Sequence, residues 1–285
     1  MVTLSFVENV IPRLEFLLQS FLIRETECPH CRSSQIRLVA RKYFFIQIRC
    51  CEVCGLYFTS PIYKTRFAPN LYGSFYEGGF VTKLPTEAEL SEWKRMAFEA
   101  TEKDCSKQLQ ALAEQCRPDN RTLLEVGCSW GYFLYQAGRH GFQSVGLEID
   151  RVRASFGVKH LGVQIVSNFS ELKGQQFDVI YAAHVLEHLT NLSGMLKKIV
   201  LHLKTGGKLI VEVPNFDYAQ FGRMRLSIIG AVHPLGFDSK FFIGNLPKYN
   251  LQVLGIYDSW DNFPNRPVKI SSGDVIIVLA EKNAL

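Results

Sequence analysis

Two sets of residues in this 285-residue chain have types and spacings that can do chemistry. The first is cysteine: CPHC sets Cys28 and Cys31 two residues apart, nineteen residues follow, and CEVC sets Cys51 and Cys54 with the same gap. Four thiolates at this spacing fit a tetrahedral zinc ion, and a four-thiolate site is structural because it leaves no open coordination position. Cys50 competes with Cys51 for the last place, and a disulfide is the alternative use of the same residues. Cys105, Cys116 and Cys128 have no partner at metal spacing and read as ordinary thiols. The second set is the loop in LLEVGCSWGYF, where Gly127 and Gly131 allow close backbone approach to a ligand and the next helix offers unpaired N–H groups.

Three chemistries compete for that loop. A dinucleotide site wants G-x-G-x-x-G, but Ser129 and Tyr132 stand at the second and third glycine positions. The letters Gly127 to Gly131 also spell G-x-S-x-G, which would make Ser129 a hydrolase nucleophile, yet no oxyanion-loop motif lies upstream. The third reading uses Glu148, about twenty residues past the loop, whose carboxylate can accept from both hydroxyls of a ribose. Glu125, ahead of Gly127, adds an acceptor for an ammonium group, which an aminoacyl-type tail presents and a dinucleotide does not. Further along, AHVLEHL spaces His184, Glu187 and His188 so that they share one face if the segment is helical, a set able to hold a metal or to serve as plain structure.

The elements that must position these residues follow from periodicity. LLEV, SVGLEI, GVQIV, FDVIYAA, KLIVEV, LQVLGIY and DVIIVLA are short apolar runs, the first five separated by helix-sized segments. That pattern implies βαβ crossovers and an α/β fold with a Rossmann-like, seven-stranded, mostly parallel sheet whose last strand is antiparallel. The residues between the cysteine pairs alternate as a hairpin does, giving a small zinc ribbon. Residues 86–116 read as one long helix opened by a capping box, Thr86 with Glu89. The expected organisation is an amphipathic helix over 1–25, the ribbon over 26–60, an aromatic linker and long helix over 61–117, and the sheet domain over 118–285.

Composition limits the partners. The chain is 47% hydrophobic and 21% charged, so it supports a packed core, and its 32 basic against 27 acidic residues form no basic block. A net charge of +5 spread in this way speaks against a nucleic-acid partner and leaves a small molecule as the expected one. The apolar N-terminal stretch is interrupted by Glu8, Pro12, Arg13 and Glu15, so it predicts neither a membrane span nor a secretory signal. A cytoplasmic chain is therefore expected, with Leu14, Phe16, Leu17, Leu18 and Phe21 packing on its own core or on a second copy as a homodimer.

EVGCSWG, GLEID, FDVIYAAHVLEHLTN and LKTGGKLIVEVPN, in that order, resemble the class I S-adenosylmethionine-dependent methyltransferases. The ribbon ahead of them, ending CEVCGLYFTSP, is similar to modules attached to bacterial sugar and natural-product methyltransferases. The resemblance implies that Gly127, Ser129 and Gly131 surround the methionine portion of the cofactor, with Glu125 near its amino group and Glu148 on its ribose. It places Asn168 and Phe169 at the adenine, and Ala183 and His184 near the sulfonium. An acceptor lid is implied around residues 214–248, and His233 within it, His184 and His188 are the candidate general bases, His233 first. The implied function is methyl transfer to a sugar, nucleotide-sugar or natural-product intermediate, with structural zinc in the ribbon. The alternatives are an RNA methyltransferase that grips its substrate with the ribbon, and a binding protein without turnover.

Overall fold

The computed structural model describes residues 24–43, 46–62, 83–116, 121–230 and 232–284. The expected N-terminal helix and most of the aromatic linker lie outside them. In chain order the strands are β1 (Ile36–Lys42), β2 (Ile46–Cys51), β3 (Tyr57–Ser60), β4 (Arg121–Val126), β5 (Phe142–Leu147), β6 (Ile165–Val166), β7 (Phe177–Ala183), β8 (Leu203–Pro214), β9 (Leu235–Gly236), β10 (Leu251–Tyr257) and β11 (Val275–Lys282). The chain divides into two compact units. One takes in residues up to Lys83 with Leu186–Gly194 and Pro214–Asn245; the other is Leu84–Val185, Met195–Val213 and Leu246–Leu285. No described helix is long and apolar enough to cross a membrane.

The larger unit is built on a seven-stranded sheet in the order β10-β11-β8-β7-β4-β5-β6. The pairs β4/β5, β4/β7, β5/β6 and β7/β8 are parallel, and β10/β11 are antiparallel. Parallel neighbours require crossovers, and the helices Tyr132–Arg139, Arg151–Leu161 and Leu192–His202 supply them. Leu123, Val179, Tyr181, Ile210 and Ile277 from the strands pack with Phe133, Leu109 and Leu112 from helices in one buried cluster. The seven strands expected from the apolar runs all form, GVQIV contributing only the two-residue edge strand β6.

The long helix expected over 86–116 is two helices, Glu87–Arg95 and Ser106–Glu114. The capping box of Thr86 and Glu89 opens the first, with the Thr86 side chain accepting from Glu89 N and the Glu89 carboxylate from Thr86 N. The break lies at Ala97, Phe98 and Ala100, all with positive φ. Turning there buries Phe98 completely, among Trp93, Trp130 and Tyr135. Local side chains satisfy the backbone groups so exposed: Asp104 accepts from Ala100 N and Ser106 N, and Thr101 donates to the Phe98 carbonyl.

The smaller unit carries an antiparallel sheet, β1-β2-β3-β9. β1 and β2 form the hairpin expected between the cysteine pairs, with Ile36 opposite Cys51. Its edge is extended by β9, where Tyr57 pairs with Gly236. Residues 214–245, placed by sequence with the C-terminal domain, thus fold onto the ribbon. Ile46, Ile48, Tyr57, Phe216 and Ile229 form their shared core, the Tyr57 and Phe216 rings meet at 5.1 Å, and Lys42 Nζ donates to the carbonyls of Leu226 and Ile229.

Candidate active site

Parallel strands direct their carboxyl ends to one edge of a sheet, and a ligand site in such a fold lies beyond those ends. Glu125 and Val126 close β4, and Gly127, Ser129 and Gly131 follow with φ of 76°, 51° and 76°. A Cβ on Gly127 would fall 2.5 Å from the Val185 side chain, and one on Gly131 2.7 Å from that of Val163, so both the backbone angle and the space require glycine. Glu148, just past β5, ties the loop down: its carboxylate accepts from Ser129 N at 2.9 Å and Asp150 N at 2.8 Å. Burial pushes the Glu148 carboxyl up while these backbone donors pull it back.

Glu125 is the less satisfied carboxylate. Its Oε2 is buried with no hydrogen-bond partner, and burial together with the neighbouring Glu148 pushes its pKa up to about 8. An orphaned acid of this kind suits an incoming cation. Ser129 Oγ accepts from the Arg153 guanidinium at 2.8 Å, and Arg153 in turn lies 3.7 Å from Asp150. A positively charged donor on Oγ is not the general base that a hydrolase nucleophile needs.

Asn168, exposed, caps the short helix Phe169–Leu172 through Ser170 N, and Phe169 is buried against the His202 ring at 5.4 Å. The resemblance implies that both lie at the adenine. Ala183 ends β7 packed against the core, and His184 turns out of the strand with φ 52°. His184 N donates to the Glu212 carbonyl at 2.8 Å, and its Nε2 lies 3.7 Å from Glu212 Oε1. Glu212 also accepts from Tyr181 Oη and Trp260 Nε1.

Residues 97–236, spanning this loop and both strand ends, match the family model described as a methyltransferase domain. The match covers 140 of the chain's 285 residues, just under half, and marks that stretch as similar to a methyltransferase domain. The methyltransferase domain is similar to a TehB-like S-adenosylmethionine-dependent methyltransferase from Corynebacterium glutamicum, with a TM-score of 0.50 and 16% identity over 69% of this chain and 97% of that one, a likeness of fold. In sequence it is similar to a tRNA U34 carboxymethyltransferase of Helicobacter hepaticus, 29% identical over 38% of this chain and 39% of the relative. It is also similar to a ubiquinone biosynthesis O-methyltransferase of a Bradyrhizobium species, 26% identical over 40% of this chain and 46% of the relative. The chain spans less than half the length of these two curated relatives.

The ribbon unit gathers two further clusters. The sulfurs of Cys28, Cys31, Cys51 and Cys54 lie within 4.8 Å of one another, with Cys28–Cys54 and Cys31–Cys51 each at 3.5 Å. Zinc–thiolate bonds of about 2.3 Å in tetrahedral array put sulfurs about 3.8 Å apart, so the donor set and its geometry fit zinc. Cys50 points elsewhere, its sulfur toward the Cys51 and Gly55 carbonyls. The hydrogen bond from Cys54 holds the Cys28 thiol down at about 5, the same bond pushes Cys54 up, and burial pushes Cys31 up to about 11.

The second cluster is Glu187, His188 and His233, whose ligand atoms also lie within 4.8 Å of one another. Of the three candidate bases, then, His188 and His233 meet in the ribbon unit, their rings 4.6 Å apart, and His184 stands at the methyltransferase sheet. Sequence reasoning missed Glu212, Tyr181, Trp260 and Arg153. Glu212 left a trace, an acid alternating into the end of the apolar run KLIVEV, but nothing in the run named its partners.

Proposed function

We propose that this chain transfers a methyl group from S-adenosylmethionine to a small-molecule acceptor, a sugar, nucleotide-sugar or natural-product intermediate. The observation that carries the cofactor assignment is the pair of buried carboxylates at adjoining strand ends, Glu125 with an orphaned oxygen and Glu148 already binding the loop backbone. When bound, S-adenosylmethionine supplies a methyl group activated on a sulfonium. The protein's part is to hold reactants in line and exclude water. Glu148 accepts the ribose hydroxyls, Glu125 the ammonium, and Gly127, Ser129 and Gly131 pass close to the methionine portion. Asn168, Phe169 and Ala183 complete the pocket. Cys28, Cys31, Cys51 and Cys54 hold a structural zinc ion.

His184 is the proposed general base, ahead of His188 and His233. It is half exposed, follows directly on β7, and is oriented by a carboxylate that neighbouring donors hold in place. A base of this kind serves a hydroxyl acceptor, whose proton must leave as the methyl arrives. The tRNA-directed relative favours RNA as a second reading of the acceptor, against which stands the absence of any basic block.

Calorimetric titration with S-adenosylmethionine, beside Glu148→Ala, tests the cofactor assignment. Binding that the variant loses supports it, and a folded, zinc-loaded protein that binds nothing overturns it. A labelled-methyl assay over nucleotide sugars, free sugars and bulk RNA then separates the acceptors, with salt-sensitive RNA methylation as the outcome that removes the small-molecule reading.

A further inference from the structure

The cluster of Glu187, His188 and His233 has a construction that packing alone does not explain. His188 Nδ1 lies 2.9 Å from the Val232 carbonyl, and His233 Nδ1 lies 2.9 Å from the Ile228 carbonyl. A carbonyl only accepts, so in both rings Nδ1 carries a hydrogen, and the neutral imidazole then has its lone pair on Nε2. Fixing one nitrogen on a backbone carbonyl is how proteins orient a metal-binding imidazole and settle its tautomer. The two rings meet edge to face, and the Glu187 carboxylate, 2% exposed, is the third donor.

The sequence suggested a different trio. His184, Glu187 and His188 share a face only if the segment is α-helical, but Leu186–His188 is a 3₁₀ turn and His184 is drawn to Glu212. His233 arrives instead from 45 residues further on. Its position is fixed by the ribbon: Thr59 N donates to the Pro234 carbonyl, and β9 begins at the next residue by pairing with β3. The segment carrying Glu187 and His188 is fastened to the ribbon as well, because Ser193 Oγ donates to the His30 carbonyl at 2.9 Å and lies 3.1 Å from His30 Nδ1.

We propose that Glu187, His188 and His233 form a site for a divalent transition-metal ion, separate from the cysteine cluster. Two imidazoles and one carboxylate suit zinc, cobalt or iron(II) rather than calcium or magnesium. The site is the opposite of the ribbon's in character. Four thiolates close a coordination sphere, whereas three protein ligands leave a position for an oxygen ligand such as water. An ion there acts as a Lewis acid, lowering the pKa of the oxygen it binds.

The test uses the full-length, untagged protein with its cysteine site already loaded with zinc. Cobalt(II) is titrated in, visible d–d absorption is followed, and bound metal is counted after gel filtration. The expected result is one additional ion per chain whose spectrum lacks the near-ultraviolet thiolate charge-transfer band. Glu187→Gln and His233→Ala should each weaken that ion by about 100-fold or more. Retained ribbon zinc and unchanged S-adenosylmethionine binding show that the variants are folded. A wild-type protein that takes up no second ion, or variants that bind it as well as wild type, overturns the proposal. The ion count does not depend on methyl transfer, so failure of the methyltransferase reading and failure of this one are separable.

Discussion

His184 and Glu212, at the ends of adjoining parallel strands, are joined twice: the His184 N–H donates to the Glu212 carbonyl at 2.8 Å, and the His184 ring nitrogen lies 3.7 Å from the Glu212 carboxylate. Burial works to raise the Glu212 carboxyl, but hydrogen bonds from His184, Trp260 and Tyr181 outweigh it and hold it below the usual carboxylate range. The group is therefore an anion at neutral pH, fixed by donors on its other oxygen.

An anion so placed orients the imidazole and stabilises its protonated form once it has taken the acceptor's proton. Glu212→Gln keeps the shape and removes the charge. Steady-state kinetics should show kcat reduced by about 10- to 100-fold, a fraction of what a general base contributes. S-Adenosylmethionine affinity should be unchanged, because Glu148 and the glycine loop are untouched. Equal losses in kcat and cofactor affinity would assign Glu212 to the architecture of the pocket instead.

Glu125 gives the cofactor step a pH dependence. With a pKa of about 8 in the free protein, this carboxyl is neutral at pH 7, and pairing with an ammonium requires it to ionise. Binding should release a proton, and affinity should rise by roughly tenfold per pH unit up to about pH 8. Calorimetry in buffers of different ionisation enthalpy reads the proton directly. Glu125→Gln should abolish the release and flatten the pH profile. Because the folded-state pKa is raised, the associated stability is fully present below the ordinary carboxylate range and is lost as pH rises through about 8. Thermal melts of Glu125→Gln should lack that decline.

The sheet was legible because buried parallel strands are continuous apolar runs, and the glycine loop because positive φ beneath Val185 favours glycine. The ribbon was legible because ligand spacing is local. What escaped was set by distant partners. The break after Arg95 needs three non-glycine residues in left-handed conformations, which no propensity favours, and it forms because Phe98 finds Trp93, Trp130 and Tyr135. Glu212 reads as strand alternation until Trp260 closes on it. The meeting of His188 with His233 depends on β9 joining the ribbon, a pairing of two residues with almost no sequence signature.

Gly127 offers a packing test of the loop. Gly127→Ala would place a methyl 2.5 Å from the Val185 side chain at a φ of 76°. The left-handed angle alone costs about 1–2 kcal/mol, and the overlap adds to it. S-Adenosylmethionine binding should fall with stability, and the double variant with Val185→Ala should recover the steric part but not the backbone part. A double variant no better than Gly127→Ala would show that backbone angle, not the close approach, fixes glycine here.

Removing zinc should separate the two units functionally. Asn245 Nδ2 donates to the Cys54 carbonyl, His30 joins Ser193, and β3 pairs with β9, so the cysteine knuckles hold the segments that carry His188 and His233. Among the described residues, the glycine loop and Glu148 are tied to Asp150 and Arg153 and packed by Val185, all in the sheet unit. Structural zinc contributes about 10 kcal/mol or more to small domains that bind it, more than a ribbon of this size retains without the ion. Chelation, or Cys31→Ser, should open residues 214–245 to limited proteolysis and release the ion proposed for Glu187, His188 and His233. Calorimetric S-adenosylmethionine binding should persist at close to its original affinity. Loss of both together would mean that the ribbon supports the cofactor loop as well, and unchanged proteolysis would mean that the antiparallel sheet stands without its metal.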